Sequence, residues 1–162
     1  MSQQKGKHMF KKIMVLVDEH PPAQAAIHTG IEIARVHAAQ VIYMYVPPAY
    51  AFPMVDMPGG GMAAFAAHTA EQFEQQTQST ASDLLKAAED AARAAGVDSA
   101  CAMAPGDASA DYVAEATATH GCDLIVVAAP GSNAVVRLLT GNIIPGLISR
   151  SPVPVMICPA GA

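Results

Sequence analysis

With 162 residues, 52% of them hydrophobic, the chain has enough apolar content for a single buried core, and one domain is what the length predicts. Nine Lys and Arg against fourteen Asp and Glu leave a formal net charge of −5, which argues against nucleic-acid and anionic-membrane partners, since both reward a basic face. No apolar run approaches the roughly 18 residues of a membrane span, and the polar start Met1 to His8 is unlike a secretory signal, so a cytoplasmic protein is expected.

Residues 1–10 read as a polar, disordered tail outside the fold. Ile13 to Val17 is a short apolar run rich in β-branched residues and is the first expected strand, ending in Asp18. Pro21-Pro22 then opens a helix to about Ala38, because proline is tolerated in a first turn and Ile27, Ile31 and Ala34 fall on one face. Val41 to Val46 is the second strand, stopped by Pro47-Pro48. The segment 47–61 is rich in proline, methionine and glycine and reads as a flexible loop. With Tyr50, Phe52, Met54 and Met57 it fits a lid or partner surface, and it fits equally a variable insertion.

Met62 to Ala95 is rich in Ala, Glu, Gln and Lys, which are good helix formers, and Gly96 is placed to end it. Gln75 to Thr80, with two threonines and a serine, is the place where a break is expected. Val97 to Ala104 is the third strand, Gly106-Asp107 turns the chain, and Ala108 to His120 is the third helix. Cys101, Cys122 and Cys158 are odd in number, far apart and without a C-x-x-C pair, so they predict neither a disulfide framework nor a zinc site but buried small hydrophobes.

The stretch from Asp123 to Cys158 organises the rest. Leu124 to Ala128 is a continuous apolar strand, as expected of a parallel strand buried on both faces. Gly131 and Gly141 follow, then Asn142, a good N-cap, and Pro145 in the first turn of a helix starting at about Asn142 or Ile143. The unpaired N–H groups of that helix would face the carboxyl end of the strand, where open α/β sheets bind anions and nucleotides. Asp18, at the end of the first strand, would share this crevice, although it is also a suitable turn residue.

These residues resemble the universal stress protein family, whose G-x2-G-x9-G-[ST] motif has Gly131 and Gly141 in register here, with Ala128 at the first glycine position and Asn142 at the final Ser/Thr. Lys11 to Asp18 is similar to that family's first strand and aspartate, and Val41 to Val46 to its second strand. The alternating pattern and the resemblance together imply an α/β, Rossmann-like domain over 11–160: an open, doubly wound, parallel five-stranded sheet in order 3-2-1-4-5 with helices on both faces. The resemblance further implies ATP or AMP as ligand, with Mg only if ATP is bound, held by Leu16, Val17, Asp18, Val46, Val127, Ala128, Gly131, Gly141, Asn142 and Ile143. In that order the last strand lies at an edge, apolar and without lysine or glutamate, so a homodimer through Val153, Val155, Met156, Ile157 and Cys158 is expected. A further protein partner would have to be of unknown identity.

Catalysis is not expected. The six histidines are scattered, Ser132 lacks a nucleophile-elbow context, no G-K-[ST] follows the glycines, and Arg137 between them fits a solvated charge. The residues therefore point to a nucleotide-binding stress or signalling protein, with at most weak ATP hydrolysis. The alternative is a dimeric interaction protein of the same fold whose altered motif holds no nucleotide.

Overall fold

The computed structural model describes residues 8–50, 61–129 and 143–159. Five strands form one sheet: β1 (Lys12–Val17), β2 (Gln40–Tyr45), β3 (Ser99–Met103), β4 (Leu124–Ala128) and β5 (Val155–Cys158). All four strand pairings are parallel and the order is β3-β2-β1-β4-β5, as expected. Among the described residues four helices connect the strands: α1 (Ala23–His37), α2 (Met62–Ala94), α3 (Ala110–Thr119) and α4 (Ile144–Arg150).

The continuous apolar runs follow from burial on both faces of the sheet. Successive residues of β1 enter opposite cores: Ile13, Val15 and Val17 pack with Ile27, Ile31 and Ala88 on one side, while Met14 and Leu16 pack with Val113, Ile144 and Leu147 on the other. Gly30 of α1 is required by this packing, because a Cβ there would meet Val15 Cγ2 at 2.5 Å. The lower edge of the sheet is tied by Asp123, whose carboxylate accepts from the backbone N–H groups of Lys11 at 2.9 Å and Lys12 at 3.3 Å.

Several boundaries differ from the sequence reading. Phe10, assigned above to the tail, packs against the core and sets its ring edge-on to His37, with centroids 5.2 Å apart. Helix α2 runs unbroken through Gln75 to Thr80, because Thr77 and Ala81 turn inward and are buried; tertiary packing overrides the weak local propensity. Strand β5 begins at Val155 rather than Val153, since Pro154 contributes only its carbonyl, to Ile125 N–H at 3.0 Å. Cys122 and Cys158 are buried as expected, but Cys101 is exposed: β3 is an edge strand, with a neighbour on one side only. No helix among the described residues is long and apolar enough to cross a membrane.

Candidate functional site

In a parallel sheet every strand ends at the same edge, so the turns after β1, β2, β3 and β4 are gathered there by topology alone. Between them lies a cavity of about 600 Å³, within the range of small-molecule sites. Its walls are Leu16, Val17, Val46, Pro47, Val127 and Ala128 from the strand ends and Ile143 and Ile144 from the start of α4. These give a largely apolar slot.

Seven of the ten residues expected from the sequence line this one cavity: Leu16, Val17, Asp18, Val46, Val127, Ala128 and Ile143. Gly131, Gly141 and Asn142 lie outside the described residues, as do Ser132, Arg137 and the loop residues Phe52, Met54 and Met57. Asp18 also fulfils the turn role that was open to it. Its Oδ1 accepts from the His20 backbone N–H at 2.9 Å and lies 3.4 Å from His20 Nδ1. The carboxylate therefore shapes the β1–α1 turn while its side chain stays 49% exposed and lines the cavity. Val46 donates its N–H to Val17 O at 3.0 Å, which fixes the end of β2 against the end of β1.

The lining also contains groups that motif reading did not find. Glu19 stands beside Asp18 and accepts from the hydroxyl of the buried Tyr45 at 2.8 Å. Burial, then the Glu19 hydrogen bond and charge, hold the Tyr45 phenol well above its usual range, so it serves as a donor. From the β3–α3 turn come Gly106 to Ala110, and from α4 come Gly146 and Arg150. The turn was legible in principle, because β3 must end at the same edge as β1 and β4. The α4 contribution depends on how two helices cross: Gly146 approaches α3 so closely that a Cβ on it would lie 2.6 Å from Ala110 Cβ. This approach sets Arg150 Nη1 3.1 Å from Asp111 Oδ2.

The charges around the cavity are unevenly placed. Asp18 and Glu19 are carboxylates at the β1 end, Asp107 is a third in the β3–α3 turn, and among the described lining residues Arg150 is the only lysine or arginine. No cluster of three or more His, Cys, Asp or Glu suited to a metal ion occurs among the described residues. What the arrangement offers is a largely apolar cavity whose lining carries three carboxylates and, among the described residues, one guanidinium.

The profile of the Universal stress protein family matches residues 9–159. Among solved structures, UspA from Lactobacillus plantarum is 20% identical, with 91% of this chain and 97% of that chain covered and a TM-score of 0.65. A universal stress protein from Archaeoglobus fulgidus, in complex with dAMP, is 17% identical over 91% of this chain and 97% of that one, with a TM-score of 0.61. One from Arabidopsis thaliana, with AMP bound, is 17% identical over 94% and 93%, with a TM-score of 0.59. No curated protein sequence matches the chain. Identities this low establish the shared fold, and the profile match over nearly the whole length settles the kinship: the chain belongs to the universal stress protein family.

Proposed function

We propose that this protein binds an adenine nucleotide, AMP or ATP, in the cavity at the carboxyl edge of the sheet, and acts as a stress-response or signalling module rather than as an enzyme. The observation that carries this reading is the convergence of Leu16, Val17, Asp18, Val46, Val127, Ala128 and Ile143 on one cavity of about 600 Å³. Two similar structures, one with AMP bound and one in complex with dAMP, support it by kinship. The base would lie in the apolar slot towards Asp18 and Val46, and the phosphates towards Gly131, Gly141 and Asn142. Magnesium would enter only with ATP. The functional unit in this reading is a homodimer joined through β5, in the cytoplasm, with occupancy of the cavity biasing a partner surface.

The altered motif favours a second reading. Ala128 and Asn142 stand where the family motif has glycine and Ser/Thr; both are bulkier than the residues they replace and would narrow a phosphate site, and the protein would then be a dimeric interaction protein without nucleotide. Mass spectrometry of small molecules released by denaturing the purified protein, with calorimetric titration of ATP and AMP, separates the two. Binding of either nucleotide supports the first reading; an empty protein that titrates with neither supports the second.

A further inference from the structure

The charges around the cavity give a bound nucleotide a direction. A phosphate is repelled by the carboxylates of Asp18 and Glu19 on the β1–α1 turn and of Asp107 on the β3–α3 turn, and attracted by a guanidinium, whose planar fork of donors matches phosphate oxygens. Among the described lining residues the guanidinium is that of Arg150. Side chains on a helix lean towards its N-terminus and cover the turn before their own Cα. For Arg150 that turn contains Gly146, which packs against Ala110 of α3 and itself lines the cavity.

Arg150 is held for the moment by a weak partner. Its Nη1 is 3.1 Å from Asp111 Oδ2, with the two side chains 57% and 68% exposed, and ion pairs this open contribute little and exchange readily. We propose that Arg150 is a side chain that reads the phosphate of the bound mononucleotide, exchanging Asp111 for it, so that the site prefers nucleotides to uncharged nucleosides. This rests on the nucleotide-binding reading above. Asp111 then acts as a built-in competitor: it keeps the guanidinium beside the cavity mouth and weakens the binding of any anion that has to displace it.

The test is calorimetric titration of AMP and of adenosine, at low ionic strength and without magnesium, into the wild-type protein and into Arg150→Gln, Arg150→Lys and Asp111→Asn. Loss of one charged hydrogen-bonding partner at a partly open site is expected to weaken AMP about tenfold in Arg150→Gln while leaving adenosine unchanged. Arg150→Lys should retain part of the preference, and Asp111→Asn should tighten AMP without affecting adenosine. AMP affinity unchanged in Arg150→Gln, equal losses for both ligands, or no gain in Asp111→Asn would overturn the proposal and leave the nucleotide-binding reading intact. A wild-type protein that binds neither ligand would overturn both, and one that binds AMP and adenosine equally would overturn the proposal alone.

Discussion

The hydroxyl of Tyr45 donates to Oε1 of Glu19 at 2.8 Å, joining a fully buried residue of β2 to an exposed carboxylate in the lining of the cavity. The core thus sets the position of a charge at the site. Removing the hydroxyl in Tyr45→Phe leaves Glu19 free to turn to water, so the cost is at the low end for a hydrogen bond to a charged group, about 1.5 kcal/mol. Urea unfolding is expected to show that loss with an unchanged slope, and an unaltered midpoint would show that the bond contributes nothing.

Tyr43, two residues earlier on the opposite side of the ladder's alternation from Met44, presents the reverse case. Its hydroxyl is buried with no hydrogen-bond partner among the described residues. Burial first, then Cys101 and Glu89, push its phenol up from 10.0 to about 12. The unfolded chain therefore ionises this group first as pH rises, so the neutral phenol's contribution to stability is fully present below pH 10 and is lost progressively towards pH 12. Tyr43→Phe removes an unsatisfied polar group and should stabilise the fold by about 1 kcal/mol at neutral pH. It should also flatten the alkaline limb of the stability profile between pH 10 and about 12. A variant less stable than the parent at pH 7, measured by the same urea titration, would contradict this.

Helix α1 offers two substitutions of opposite sign. In Gly30→Ala the new methyl meets Val15 Cγ2 at 2.5 Å, so the helix must move off the sheet, and the overpacking should cost about 1–3 kcal/mol despite alanine's better helix propensity. At the helix end, Ala38 has φ 52° and ψ 39°, a left-handed conformation that caps the helix while Ala39 N–H bonds Ala34 O at 2.9 Å. Glycine adopts this conformation without the steric penalty. Ala38→Gly should therefore stabilise the protein by about 0.5–1 kcal/mol, the relief of strain less the extra freedom of the unfolded chain. Thermal melts of both variants beside the parent check the two signs together.

The parts of this fold most legible in the sequence are those where local pattern and burial agree. Leu124 to Ala128 is apolar throughout and forms β4 over the same residues, buried from Leu124 to Val127. Asp18 is placed at the site by the end of the first strand, where apolar residues give way to a polar one, whereas Val46 is placed there by the family resemblance. The helix α2 was misjudged at Thr77, since propensity says nothing about which side chain the sheet will bury. The burial of Cys101 was misjudged although the expected order 3-2-1-4-5 puts the third strand at an edge, because an apolar pattern alone does not say which of its side chains a helix will cover. Glu19 and Arg150 carried no motif at all: the first is recruited by a tyrosine 26 positions away, the second by a helix crossing at Gly146, and neither distance is encoded in local spacing.

The proposed dimer makes the last prediction. Strand β5 pairs with β4 on one side and stands at the edge of the sheet on the other. Met156 is 38% exposed and Ile157 40% exposed, and Ile148 on the neighbouring helix α4 is 62% exposed, so apolar side chains adjoin an edge that has no charge to discourage pairing. A two-fold axis would let β5 of a second copy run antiparallel to it, with Pro154 and Pro159 confining the backbone ladder to the residues between them. Val155 packs against the core, so lysine there would confound dissociation with unfolding. Met156→Lys with Ile157→Lys avoids that difficulty, because both side chains are exposed in the single chain. Light scattering at micromolar concentration is expected to give twice the mass of one chain, 16.7 kDa, for the parent and the single-chain mass for the double variant, with circular dichroism showing that the variant is folded. A monomeric parent, or a folded double variant that remains dimeric, would place the interface elsewhere or remove it.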